Sequence, residues 1–354
     1  MLDRLLPELL DHVLSLAVSG AGAKERNETL RACSLVSRAV SARAVPLLWR
    51  VIELRQNKQA LALEAVIRDK SFTELSQATR GLVLDGRGDF KLEKAMPLLR
   101  RFSRLKNISL SIFHEDKVDG AELERFPGLR RLDLHSVLLL DLPFRLAGLV
   151  ELAISSVEMN SSSLTSILSP SSFPVLRALA VSECFDPTSE DSHFIPLVPP
   201  AMLEQLDMLQ IGTTLPSYLP PKLEDYTTPV LFTLVWSFMA DFHTVKEFDE
   251  HPVRHLRLVS DSLKRPGKGT LYQALHLLTF GLPMLSSLHL PAFLQQPDES
   301  AAYIMFLKQV LEDSTRMGIE VLWHDDGHKQ HTISPDFWAY AKELKAAQQT
   351  NSAA

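Results

Sequence analysis

The chain has 354 residues, enough for about two ordinary domains or for one short module followed by an extended repeat array. Its 45% hydrophobic and 23% charged residues are the make-up of a globular chain with a substantial core, which excludes extended disorder. A formal net charge of −6 excludes the broad basic surface that wraps nucleic acid or lies on anionic lipid, so neither is expected as a partner.

Cys33 and Cys184 lie far apart with no CxxC pair, a pattern of neither a Cys-based zinc site nor a disulfide-stapled secreted domain. Asp3, Glu8 and Asp11 interrupt what would have to be the apolar segment of a signal peptide, and the uncharged stretch from Thr227 to Ala240 falls short of the roughly 20 residues that a spanning helix needs. The expected location is therefore the cytoplasm and/or the nucleus.

Leu5 to Ala17 predicts a first helix, with Pro7 suited to its opening turn. Its apolar residues cover an arc of roughly 180°, wider than the stripe of about 100° that seats a helix on its own domain. The excess is either covered by a following domain or offered to a partner. Val18 to Glu28 predicts a loop, Thr29 a cap, and Leu30, Cys33, Val36 and Val40 the apolar face of a second helix. Ser41 to Trp49 predicts a third, interrupted by Pro46.

Leu6-Pro7-Glu8-Leu9-Leu10, then Leu35-Val36-Ser37-Arg38, then Pro46-Leu47-Leu48-Trp49-Arg50 resemble the F-box family in order and spacing. The resemblance implies an F-box-like helical module over residues 1–52 that docks on a Skp-family adaptor, and through it on a cullin scaffold. Leu6, Pro7, Leu10, Val36 and Trp49 stand at the matching contact positions.

Beyond Trp49 a six-residue pattern, apolar-x-x-apolar-x-apolar, recurs. It fits Leu105/Ile108/Leu110, Leu129/Leu132/Leu134, Leu149/Leu152/Ile154, Leu176/Leu179/Val181, Leu203/Leu206/Met208, Leu231/Leu234/Trp236, Val253/Leu256/Leu258 and Leu285/Leu288/Leu290. Degenerate versions lie at Trp49/Ile52/Leu54 and Thr79/Leu82/Leu84. Phe185 to Pro200, rich in Ser, Asp and Pro, predicts a long loop. The spacing of the pattern resembles degenerate leucine-rich repeats, whose period is roughly 20–29 residues. That resemblance implies an α/β fold: a leucine-rich-repeat solenoid of about nine to ten irregular repeats over 53–335, with a capping helix over 336–347 and a disordered tail over 348–354.

Positions alternating outward from those strands are the expected target-binding residues: Arg131, Asp133, Glu151, Asp207, His255 and Arg257, with Asn107, Gln205 and His289 beside them. The expected function is substrate recognition in an SCF-type ubiquitin ligase, the alternative a leucine-rich-repeat interaction scaffold without a ligase role. No catalytic residue, metal or cofactor is expected. His324-Asp325-Asp326-Gly327-His328, with His331, reads as a turn that does not aim two imidazoles at one ion. Pro266-Gly267-Lys268-Gly269-Thr270 has Ser262 where a phosphate loop needs glycine.

Overall fold

The computed structural model describes residues 7–17, 23–67, 76–86, 92, 99–140, 145–189, 193–213, 228–236, 253–260, 284–295, 301–324 and 333–353. The chain forms two compact units, Met1–Lys117 with Ala121–Leu132, and Val118–Gly120 with Asp133–Ala354.

The first unit opens with α1 (Pro7–Ala17), α2 (Ala23–Ser34) and α3 (Arg38–Leu48). The second helix thus begins inside the stretch expected to be loop. Leu10, Leu14, Leu30, Val40 and Ala44 form a small core, with Cys33, Leu47 and Leu48 packed against it. Ser37, in extended conformation, accepts the Val40 N–H at 3.3 Å and caps α3. Asp11 and Arg43 tie α1 to α3 at 3.3 Å. From Trp49, whose N–H donates to Val45 O and Leu47 O, the chain runs into β1 (Val51–Leu54), then α4 (Asn57–Ile67), β2 (Gly81–Asp85) and β3 (Asn107–Val118). These strands are parallel and place Ile52, Leu82 and Ile108 in one row and Leu54, Leu84 and Leu110 in the next. Within this unit α3 leads directly into β1.

After α5 (Gly120–Glu124) follow β4 (Arg131–Leu139), β5 (Glu151–Ser155), α6 (Ser161–Ile167) and β6 (Ala178–Ser182). Next come β7 (Cys184–Phe185), β8 (His193–Phe194), α7 (Pro200–Gln205), β9 (Met208–Thr213), β10 (Val230–Trp236) and β11 (His255–Ser260). The chain ends with β12 (Ser287–Pro291), α8 (Ala301–Met317), β13 (Glu320–His324) and α9 (Pro335–Ala353). β7 and β8 pair antiparallel in the stretch expected to be a plain loop. No helix among the described residues is long and apolar enough to cross a membrane.

In the first unit β1, β2 and β3 pair in sequence order, in the second β5, β6, β9, β10, β11, β12 and β13 do, and every described register in these sheets is parallel. This overturns the expected three-helix module followed by a leucine-rich-repeat solenoid of nine to ten repeats: the chain is an α/β protein on a central parallel sheet. The recurring pattern records strands, and its period of two decides which face a residue takes without deciding the architecture above it.

Even as a strand signature it slips twice. Leu203/Leu206/Met208 should put Met208 on the face of Leu179 and Val181, yet Pro200–Gln205 is helical and Met208, itself buried, lies in register with Ala178 on the other face. Leu209 and Ile211 stand beside Leu179 and Val181 instead. That shift of one residue exchanges the two faces. In β10 the partner of Ile211 and Leu256 is Phe232, two residues before the expected middle position Leu234 and on the same face.

Gly212 in β9 shows how closely the strands approach, since a Cβ there would lie 3.0 Å from Ser182 Cβ. Gly212→Val is expected to cost about 1–3 kcal/mol by overpacking. A lower denaturation midpoint, set against a neutral Thr350→Ala control on the exposed end of α9, checks it.

Candidate functional site

One face of the second unit's sheet is built from two rows that the parallel register brings into line. The first is Ala153, Ala180, Gln210, Leu231, His255, Ser287 and Glu320. The second is Ser182, Gly212, Thr233, Arg257 and His289. Between them, on the other face, run Ile154, Val181, Ile211, Phe232, Leu256 and Leu288, all buried. The strands thus present one apolar face and one that turns from small residues to polar, histidine-rich ones.

Helix α9 lies on the polar face. Ser334 starts it: its hydroxyl accepts the Phe337 N–H at 3.4 Å, and Pro335 fits the first turn. Ile333, Phe337 and Ala341, spaced at i, i+4 and i+8, are buried against Ala153, Ala178, Ala180, Met208 and Leu231, with Trp338 and Tyr340 packed alongside. Small side chains on the strands let the helix approach, and Phe337 fills what remains. Truncating a fully buried phenylalanine costs roughly 3–5 kcal/mol, which makes Phe337 the helix's main anchor. Polar ties are few. Ser334 N–H donates to Gln210 Oε1 at 3.1 Å, and Lys345 Nζ donates to Leu206 O at 2.7 Å while standing 3.7 Å from Asp207.

Beneath the first turns lies a buried polar network. Ser287 Oγ is 2.9 Å from His255 Nδ1 and 3.0 Å from His289 Nε2. Phe337 stands 5.5 Å from each of those rings, centroid to centroid, and Tyr340 stands 5.6 Å from His255 and 6.1 Å from His289. Burial pushes the His255 ring down to about 4, helped by Arg254. Burial likewise pushes His289 down to about 3, helped by His255, His324 and the fully buried Arg257. Both imidazoles are therefore neutral near pH 7. Burial and the Glu320 carboxylate, which accepts the phenol's hydrogen bond, push Tyr340 upward. A serine between two neutral imidazoles has the reach of a nucleophile and its base, but Ser287 is fully buried beneath α9, so the network acts here as a packing element.

The expected target-binding residues part company. His255 and Arg257 are corrected from surface to interior: His255 packs against Phe337 and Tyr340 of α9, and Arg257 is fully buried. Asp207 is half-buried just before β9, beside Lys345. Arg131, Asp133 and Glu151 are half-buried, and Glu151 lies in register with Ala178. Among the expected adaptor contacts, Leu10 is corrected to a core residue of the three helices, whereas Val36 is 60% exposed and Trp49 half-buried. Leu6 and the Pro7 side chain lie outside the described residues. Sequence reasoning missed Ser287 and the α9 anchors; the Ser-Pro-Asp-Phe start of α9 was the available signal.

Among the described residues no group of three or more His, Cys, Asp or Glu could hold a metal ion. His324 is buried and donates Nε2–H to Leu258 O at 3.2 Å, while 325–332, the rest of that His-Asp stretch, lie outside the described residues. Burial pushes the Cys184 thiol up to about 12, where it is inert. No family model matches this chain, and no curated protein matches it.

Since the two rings are neutral when folded and titrate near 6.5 when unfolded, their contribution is complete above about 6.5 and is lost as pH falls toward about 4. Each histidine adds about 1.4 kcal/mol of lost stability per pH unit in that window. Thermal melts from pH 7.5 to 4.5 should show the fall, and His255→Gln with His289→Gln should flatten it.

Proposed function

We propose that the first fifty residues dock this chain on a Skp-family adaptor of an SCF-type ubiquitin ligase, and that the remainder receives a target protein. The observation that carries the reading is the unpartnered apolar surface of α1–α3. Leu10 and Leu14 point into the small core, yet Leu9, Val13 and Leu16, at i, i+4 and i+7 of α1, are 51%, 45% and 61% exposed. In the turn after α2, Leu35 is 86% and Val36 60% exposed. Five of the thirteen exposed large hydrophobics among the described residues thus fall within the first 36 positions. A helix apolar on both sides needs a second partner, and such concentrated exposure marks a protein-interaction surface. The resemblance of the Leu-Pro-Glu, Leu-Val-Ser-Arg and Pro-Leu-Leu-Trp segments to F-box receptors supports a Skp-family adaptor as that partner. Docking then uses Leu9, Val13, Leu16 and Val36, with Trp49 at the margin, while Leu10 shapes the module from within.

Val13→Asp and Val36→Asp are expected to leave folding within about 0.5 kcal/mol, because both sites are exposed. They should weaken capture of a recombinant Skp-family adaptor at least ten-fold, which is the loss of about 1.4 kcal/mol from an interface anchor. Undiminished capture by the folded double variant would leave the interaction scaffold without a ligase role as the surviving reading.

A further inference from the structure

We infer that α9 sits, inside its own chain, in the seat that the second unit offers to a helical segment of its target. This rests on the reading that the chain receives a target protein. A face meant only for permanent burial is filled with apolar side chains, as the opposite face is with Ile154, Val181, Ile211, Phe232, Leu256 and Leu288. The seat of α9 instead combines Ala153, Ala178, Ala180, Met208 and Leu231 with Gln210, His255, Ser287 and His289, polar groups that are costly to bury and that suit reading a partner.

Helix α9 itself commits only part of its length. Burial runs from Ile333 to Lys345 and stops there, with Ala346, Ala347 and Thr350 exposed. Its polar ties include a backbone N–H on Gln210, one ammonium on Leu206 O and Asp207, and the Tyr340 phenol on Glu320, and another helix can supply each kind. The occupant is therefore an amphipathic helix with an aromatic residue at i, a second aromatic at i+3, a small residue at i+4 and a basic one at i+8, the places of Phe337, Tyr340, Ala341 and Lys345. Held in the same chain, α9 acts at an effective concentration of roughly millimolar order, so a free helix of micromolar affinity is held off about 1,000-fold. A target enters by displacing it.

The test uses the full chain and a fluorescent peptide of residues 333–353. Ala341→Arg, which puts a long charged side chain against Ala153 and Ala180, should release α9 and let the peptide bind saturably, at least ~10-fold tighter than to the unaltered chain. A variant whose sheet amides stay protected but which binds no peptide would overturn the inference. Should the variant not fold, hydrogen exchange on the unaltered chain decides. Amides of α9 that exchange ~100-fold faster than those of β6 and β9 show local release, whereas equal protection refutes it. Neither arm involves the adaptor, so loss of adaptor docking and failure of helix exchange are read separately.

Discussion

Parallel strands in register assign every side chain to one of two faces, and most of this protein's second unit follows from that constraint. On one face the row from Ile154 to Leu288 is apolar throughout and closes a core. On the other, the same ladder lines up Ala153, Ala180, Gln210, Leu231, His255 and Ser287, residues from six strands that share no local sequence context. The helix seat and the histidine network are products of register. Neither exists in any one segment of the chain.

That dependence explains what the sequence revealed. Leu149/Leu152/Ile154, Leu176/Leu179/Val181 and Leu285/Leu288/Leu290 announce β5, β6 and β12 because their alternation is unambiguous and turn residues flank them. Around β9 the text Leu203-Glu204-Gln205-Leu206-Asp207-Met208-Leu209-Gln210-Ile211 accepts the pattern in two phases, and only pairing with β6 picks the second. The amphipathic spacing of Phe337, Ala341 and Lys345 is visible too. Its landing place is not, because Ala153, Ala178 and Ala180 become a seat only once β5 and β6 are side by side. Hence His255 and Arg257 looked like surface and are interior.

The first unit poses a different ambiguity. The apolar arc of α1 belongs to two surfaces, and composition cannot say which leucine serves which. Packing against Leu30, Val40 and Ala44 takes Leu10 and Leu14, so the side that remains is the side available for recognition. Burial of a few residues thereby decides which others are open. In the second unit the same logic works in reverse, since α9 removes from solvent the face on which the outward positions of β11 and β12 lie.

The serine shared by two imidazoles carries one further consequence. A hydroxyl has a single hydrogen and two lone pairs, so Ser287 can donate to at most one of the two ring nitrogens. If His255 Nδ1 is the bare nitrogen, His289 Nε2 bears the hydrogen, and if His289 Nε2 is bare, His255 Nδ1 bears it. The tautomers on β11 and β12 are therefore coupled through one hydroxyl: at least one imidazole must present an N–H to Ser287, and the two rings cannot both be acceptors there.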